Sequence, residues 1–165
     1  MKKAILCIVL AMLTLCAGCG AVKTDVSADS TQAETAVERT ADDWISMLSS
    51  ALPFDDQMTL VPENAATVYG IFEDEGYKGD CSLYISTMAT PEEIAVFRAD
   101  DVLSTDDLVA RAKSRLETQK ASYASYAPQE MPKIDSAVIE TVGDFVIVCV
   151  CADNAKAAEL IRNAS

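Results

Sequence analysis

Histidine is absent from all 165 residues. That absence removes the Ser-His-Asp and Cys-His hydrolases, the paired-histidine zinc proteases and the iron sites built from histidines and a carboxylate. Cations are also scarce: 13 Lys and Arg stand against 26 Asp and Glu, a formal net charge of −13. Such a chain repels nucleic-acid backbones and bare anionic lipid, and neither is expected as a direct partner. No apolar run after residue 19 is long enough to span a bilayer. No internal repeat is visible, and the cysteines after Cys19 form no Cys-x-x-Cys knuckle. What is plentiful is core material, because 50% of the residues are hydrophobic at a length of about one domain.

The N-terminus reads as an address. Lys2 and Lys3 form a short basic start, residues 4–15 are apolar but too short to span comfortably, and the small residues Ala17 and Gly18 precede Cys19. The stretch Leu15-Cys16-Ala17-Gly18-Cys19 resembles the lipobox of bacterial lipoproteins, with Cys16 where that pattern usually has Leu. The resemblance implies cleavage after residue 18 and diacylation of Cys19, which supplies the two chains that stable anchoring needs. The expected organisation is a signal peptide over 1–18, a lipidated cysteine and flexible tether over 19–35, and a globular domain over 36–165. Residues 20–35, rich in Ala, Ser, Thr and Asp, would reach about 20 Å as a coil. The expected location is the extracytoplasmic face of the membrane.

The globular part mixes two periodicities. From about Glu34, the residues Val37, Ala41, Trp44, Leu48 and Leu52 recur every three or four positions and predict an amphipathic helix ending at Pro53, with Trp44 as a core anchor. Residues 55–64 read as a polar connection, 66–72 as a short strand, and 73–80 as an acidic, solvated turn. Cys81, Leu83 and Ile85 alternate with more polar neighbours and predict a strand with those three facing inward. Thr90-Pro91-Glu92-Glu93 has the form of a helix capping box, yet the strand formers after it favour a turn and then a strand from about Ile94 to 99. Ser104 caps a long helix bearing Leu108, Ala112, Leu116 and Tyr123 on one face and stopping before Pro128.

The strongest local signal is Gly143-Asp144 between two strand-like runs, a type II′ hairpin turn. Pairing Val142 with Phe145 puts Val138, Glu140, Ile147, Cys149 and Cys151 on one face and Ile139, Thr141, Val146, Val148 and Val150 on the other. Both faces are apolar, so the second strand is central with cover on each side, or one face is a binding surface. A short helix over about 154–163 closes the chain. The fold class is α+β: one domain, with an antiparallel or mixed sheet of about five strands packed with an N-terminal helix, a long central helix and a short C-terminal helix.

Tyr69-Gly70-Ile71, Glu93-Ile94-Ala95-Val96-Phe97, Tyr126-Ala127-Pro128 and Gly143-Asp144-Phe145-Val146, in this order and spacing, resemble the family called domain of unknown function 4358. The resemblance covers roughly residues 42–161. It implies an envelope lipoprotein of Firmicute-type Gram-positive bacteria and supplies no catalytic or binding residue.

The chemistry is correspondingly sparse. Cys81, Cys149 and Cys151 lack a fourth soft ligand, and no metal or other cofactor is expected. A disulfide from Cys81 to Cys149 or Cys151 stands beside the simpler reading of three buried free thiols. Adjacent carboxylates at Asp100-Asp101 and Asp106-Asp107 do not face each other across a cleft, and helix capping explains the second pair. Two surfaces remain as partner-binding candidates: the basic residues Arg111, Lys113, Arg115 and Lys120 of the long helix, and the hairpin face with Phe145 and Ile147. The functional expectation is a non-enzymatic binding or accessory module of the cell envelope, its partner an envelope protein or wall polymer. The alternatives are an envelope enzyme acting on peptide or wall glycan through carboxylates or a thiol, and a small solute-binding lipoprotein.

Overall fold

The computed structural model describes residues 39–165. The anticipated signal peptide, Cys19 and tether, and the helix start near Glu34, lie outside the described residues. Five strands form one antiparallel sheet in the order β1-β2-β3-β5-β4, where β1 is Met58–Leu60, β2 Cys81–Ser86, β3 Glu93–Arg98, β4 Val138–Val142 and β5 Phe145–Val150. The α+β expectation, with its long central and short C-terminal helices, is what the chain builds.

Helix α1, Ala41–Ala51, starts at Thr40, whose hydroxyl accepts from Asp43 N while the Asp43 carboxylate accepts from Thr40 N. Asp80 adds a cap by accepting from Ala41 N at 2.7 Å. Trp44, Ile45 and Leu48 of α1 are buried with Ile94, Val96, Ile147 and Cys149 of the sheet and with Ala157 and Ile161 of α5, Asn154–Asn163. On the opposite face lie α2, Ala65–Val68, and the long α3, Thr105–Tyr126. There Tyr69, Leu108 and Ala112 cover Leu83, Ala95, Phe97, Val146 and Val148. Toward the end of α3, Leu116 and Tyr123 pack with Ile134 of α4, Met131–Asp135, and with Val150.

The hairpin register is the anticipated one, Val142 opposite Phe145. Gly143 sits at φ 56°, the left-handed position that a turn with Gly first requires. Strand β5 is buried along its whole length between β3 and β4, so the question of one covered face or two resolves as two.

Two local expectations are corrected. Residues 66–72 are not a strand: Ala65–Val68 is helical, and Tyr69, Gly70 and Ile71 close it by bonding back to Ala66 O and Thr67 O. The first strand lies earlier, at Met58–Leu60 within the supposed connection, where pairing with Tyr84–Ser86 of β2 creates it. The turn and strand expected after Thr90 are kept, with β3 starting at Glu93; the capping-box pattern starts no helix, and Glu92, just before the strand, and Glu93 are both fully buried.

Candidate functional site

Two consecutive carboxylates at the start of β3, both with 0% exposure, are the least expected groups in the domain. Because neighbouring strand residues point to opposite faces, each needs its own partners. Glu92 accepts from Asp55 N at 2.9 Å, Asp56 N at 3.1 Å, Thr90 Oγ1 at 3.1 Å and Lys133 Nζ at 3.1 Å. Lys133 also pairs with Asp55 and Glu130. Burial works against the Lys133 charge, but these acceptors outweigh it and raise its pKa.

Glu93 faces α3. Its Oε1 accepts from Tyr69 OH at 2.7 Å and from Arg115 Nε at 3.3 Å, and its Oε2 accepts from Arg115 Nη2 at 2.8 Å. Burial, reinforced by the Glu93 charge, pushes the Tyr69 hydroxyl well above its ordinary range, so it remains a donor. Burial opposes the Arg115 charge as well, and the Glu93 carboxylate more than offsets it, holding the guanidinium above its usual pKa. The result is a two-pronged Arg–carboxylate pair with a phenol on the same oxygen, a rigid arrangement whose charges cancel.

Arg115 is shared by two small cavities beside α3. One, about 160 Å³, is lined by Tyr69, Gly70, Arg111 and Ser114. The other, about 100 Å³, lies beneath the β2–β3 turn and is lined by Met88, Thr90, Gln119, Ser122 and Tyr123. Gln119 is 5% exposed; its Nε2 donates to Pro91 O at 3.4 Å, while its Oε1 is buried with no partner. Above it the turn is held open: Ser86 Oγ donates to Thr90 O at 2.6 Å and Tyr123 OH to Met88 O at 2.9 Å. Met88, at φ 73°, occupies a left-handed conformation uncommon for a residue with a side chain, and its side chain is 71% exposed. The cleft therefore offers an apolar rim, several hydroxyls and one unfilled acceptor over a neutral floor.

The sequence-derived candidates are placed differently. Ile147 is fully buried and Phe145 nearly so, under α1 and α5, so the hairpin face is core and not a docking surface. Arg111 turns inward to Gly70 O and the Glu75 carboxylate, and Arg115 to Glu93. Lys120 pairs with Glu117 and Asp135, and Lys113 is exposed. The basic stripe is thus not one free cationic face, because Arg115 braces α3 against β3 and Arg111 ties it to the segment after α2. Cys19 lies outside the described residues. Cys81, Cys149 and Cys151 are free thiols. Cys81 faces the α3 side and Cys149 the α1 side, with β3 between their strands, which rules out a bridge between them in this fold.

Asp107 accepts from Ser104 N and Ser104 Oγ at the start of α3, the capping role anticipated for that carboxylate pair. In the acidic turn, Glu75 pairs with Arg111 and Asp80 caps α1, so part of that charge is structural. Among the described residues no three metal-ligating side chains cluster, and no helix is long and apolar enough to cross a membrane.

Residues 50–151 match the family described as Domain of unknown function (DUF4358). The chain belongs to that family. In this DUF4358 domain the matched segment runs from the end of α1 through β5 and contains Tyr69, Glu92, Glu93, Arg115, Gln119 and Lys133, which together build the buried charge network and the cleft. No curated protein and no solved structure matches the chain.

Proposed function

We propose that this DUF4358 protein is a non-enzymatic binding module of the bacterial cell envelope. It is held to the membrane by lipid on Cys19 and takes its partner, an envelope protein or wall polymer, in the cleft between α3 and the β2–β3 turn. The observation that carries the reading is the unpartnered Gln119 Oε1 beside an Arg115–Glu93–Tyr69 group already satisfied within the chain. A carboxylate that holds an arginine and a phenol is a poor general base, whereas a rigid neutral floor with an open acceptor suits recognition of an N–H or O–H donor. The anchor rests on the Leu15-Cys16-Ala17-Gly18-Cys19 pattern.

Two measurements test the two halves separately. Growth with an alkyne-tagged fatty acid should label the protein, and Cys19→Ala should abolish the label; equal labelling of both forms removes the anchor. Cross-linking in intact cells should recover an envelope component that is lost with Thr118→Trp. Thr118 is an exposed α3 residue lining both cavities, so the indole fills the cleft without touching the core. Recovery unchanged by Thr118→Trp would place the binding surface elsewhere.

A further inference from the structure

The cleft between α3 and the β2–β3 turn has one donor group and one acceptor that the fold leaves unused. Arg115 gives its Nε and Nη2 to Glu93, and its Nη1 has no hydrogen-bond partner among the described residues. Gln119, 5% exposed, has the unpartnered Oε1; the bond from its Nε2 to Pro91 O fixes which way the amide faces. Both residues line the cleft, one helical turn apart on α3. A donor and an acceptor flanking one cavity complement a secondary amide, whose trans N–H and C=O point in opposite directions. Ile85 and Met88 give the same cavity an apolar side, which suits a methyl group on that amide.

Size and surroundings narrow the carrier of the amide. At about 100 Å³ the cavity is well below the about 300 Å³ at which pockets begin to enclose whole small ligands, so it takes a pendant group and not a ring. At its mouth the exposed Thr118 and Ser122 donate their hydroxyl protons to Ser114 O and Thr118 O, and so remain acceptors for hydroxyls of a ligand. Next to them Tyr126 is 71% exposed and rests edge-on against Tyr123, a ring face free to take an apolar sugar face. A peptide brings an amide about every 3.3 Å, whereas the cleft matches a single one and is otherwise suited to hydroxyls. The Arg115 charge is cancelled by Glu93, and the net charge of −13 repels an anionic polymer. Resting on the reading of this cleft as the binding surface, we propose that it takes the acetamido group of an N-acetylated amino sugar in an uncharged glycan. The sugar N–H donates to Gln119 Oε1, its carbonyl accepts from Arg115 Nη1, and the next ring lies against Tyr126.

Full-length protein in neutral detergent is titrated by calorimetry with the tetramer of N-acetylglucosamine, with cellotetraose, the same chain bearing a hydroxyl in place of each acetamido group, and with acetyl-tetraalanine amide. The acetylated tetramer should bind saturably, and the other two at least tenfold more weakly. Gln119→Met should weaken binding about tenfold. Its melting temperature should be no lower than the parent's, because the acceptor removed is unpartnered and the one bond lost is long, at 3.4 Å. Loss of binding without loss of stability is not what a purely structural Gln119 would give. Tyr126→Ala, on the surface, should weaken binding severalfold, and Thr118→Trp should abolish it. The proposal is overturned if cellotetraose or the peptide binds as tightly, if no probe binds saturably, or if folded Gln119→Met or Thr118→Trp binds as well as the parent. Should it be overturned while cross-linking in cells still recovers a component that Thr118→Trp loses, the cleft remains the binding surface and its occupant is of another class.

Discussion

Replacing Arg115 by Met keeps the length and packing of the side chain and strands the Glu93 carboxylate. Glu93 is fully buried, and its remaining partner would be the Tyr69 hydroxyl at 2.7 Å. Removing one member of a buried ion pair typically destabilises by about 3–5 kcal/mol. The Arg115 side chain is 22% exposed, so water can follow the lost guanidinium and the lower end of that range, about 3 kcal/mol, applies. For a domain of this size that is a fall in melting temperature of about 12 °C. Replacing all three polar groups together, as Tyr69→Phe, Glu93→Leu and Arg115→Met, removes the orphaned charge and should recover most of the loss. Urea unfolding followed by circular dichroism supplies both numbers. A single-variant loss below about 1 kcal/mol, or a triple variant less stable than Arg115→Met, would refute the view that the network is a mutually satisfied unit.

Other perturbations follow from the same geometry. Lys133→Met leaves Glu92 its backbone and Thr90 donors and should cost about 2 kcal/mol, less than Arg115→Met, in the same urea assay. Because the folded pKa of Lys133 is raised, its contribution is fully present below its ordinary value of 10.5. It is lost as pH climbs through the folded value, so the parent's stability should fall more steeply in alkali than that of Lys133→Met. Asp43, Asp56 and Asp107 are held below the usual carboxylate range, Asp43 chiefly by the Thr40 backbone N–H, and Asp56 and Asp107 chiefly by the hydroxyls of Thr87 and Ser104. Their contribution is complete above about 3.8 and fades as pH falls, so the triple Asn variant should flatten the acid limb of a pH–stability curve. Gly79→Ala would drive a methyl into the Arg98 carbonyl and the Tyr77 ring, and should lower stability by about 2 kcal/mol by calorimetry.

Much of the architecture was legible because its elements obey a period. The alternation in β2, the type II′ turn and the capped stripe of α3 each state a structure locally, and the fold keeps all three. Met58–Leu60 states nothing by itself: three residues, two of them exposed, become a strand only because β2 offers an edge. Residues 66–72 mislead for the reason short apolar runs generally do, since Ala65-Ala66-Thr67-Val68 suits one helical turn as well as a strand.

The site was harder to read. Acidic residues beside Thr90-Pro91 fit a helix start, and the rule that carboxylates lie outside places them in solvent. Two signals pointed the other way. Glu93 shares the inward side of its strand with Ala95 and Phe97, and the buried stripe of α3, Leu108, Ala112 and Leu116, also passes through Gln119, with Arg115 at its edge. A carboxylate on one apolar face and an arginine on the facing one form a pair that neither segment reveals alone.

The bond from Arg39 to Ala164 has one more consequence. It brings the two ends of the described fold together at the Gly143 pole of the sheet, whereas Met88 and the α3 cleft lie at the Glu93 pole. Five residue steps along β3 separate the poles by about 17 Å. A chain entering at Arg39 therefore joins the domain at the Gly143 pole and leaves the cleft at the far end. The strands of a single sheet are the rigid spacer that keeps the joined chain ends and the α3 cleft apart.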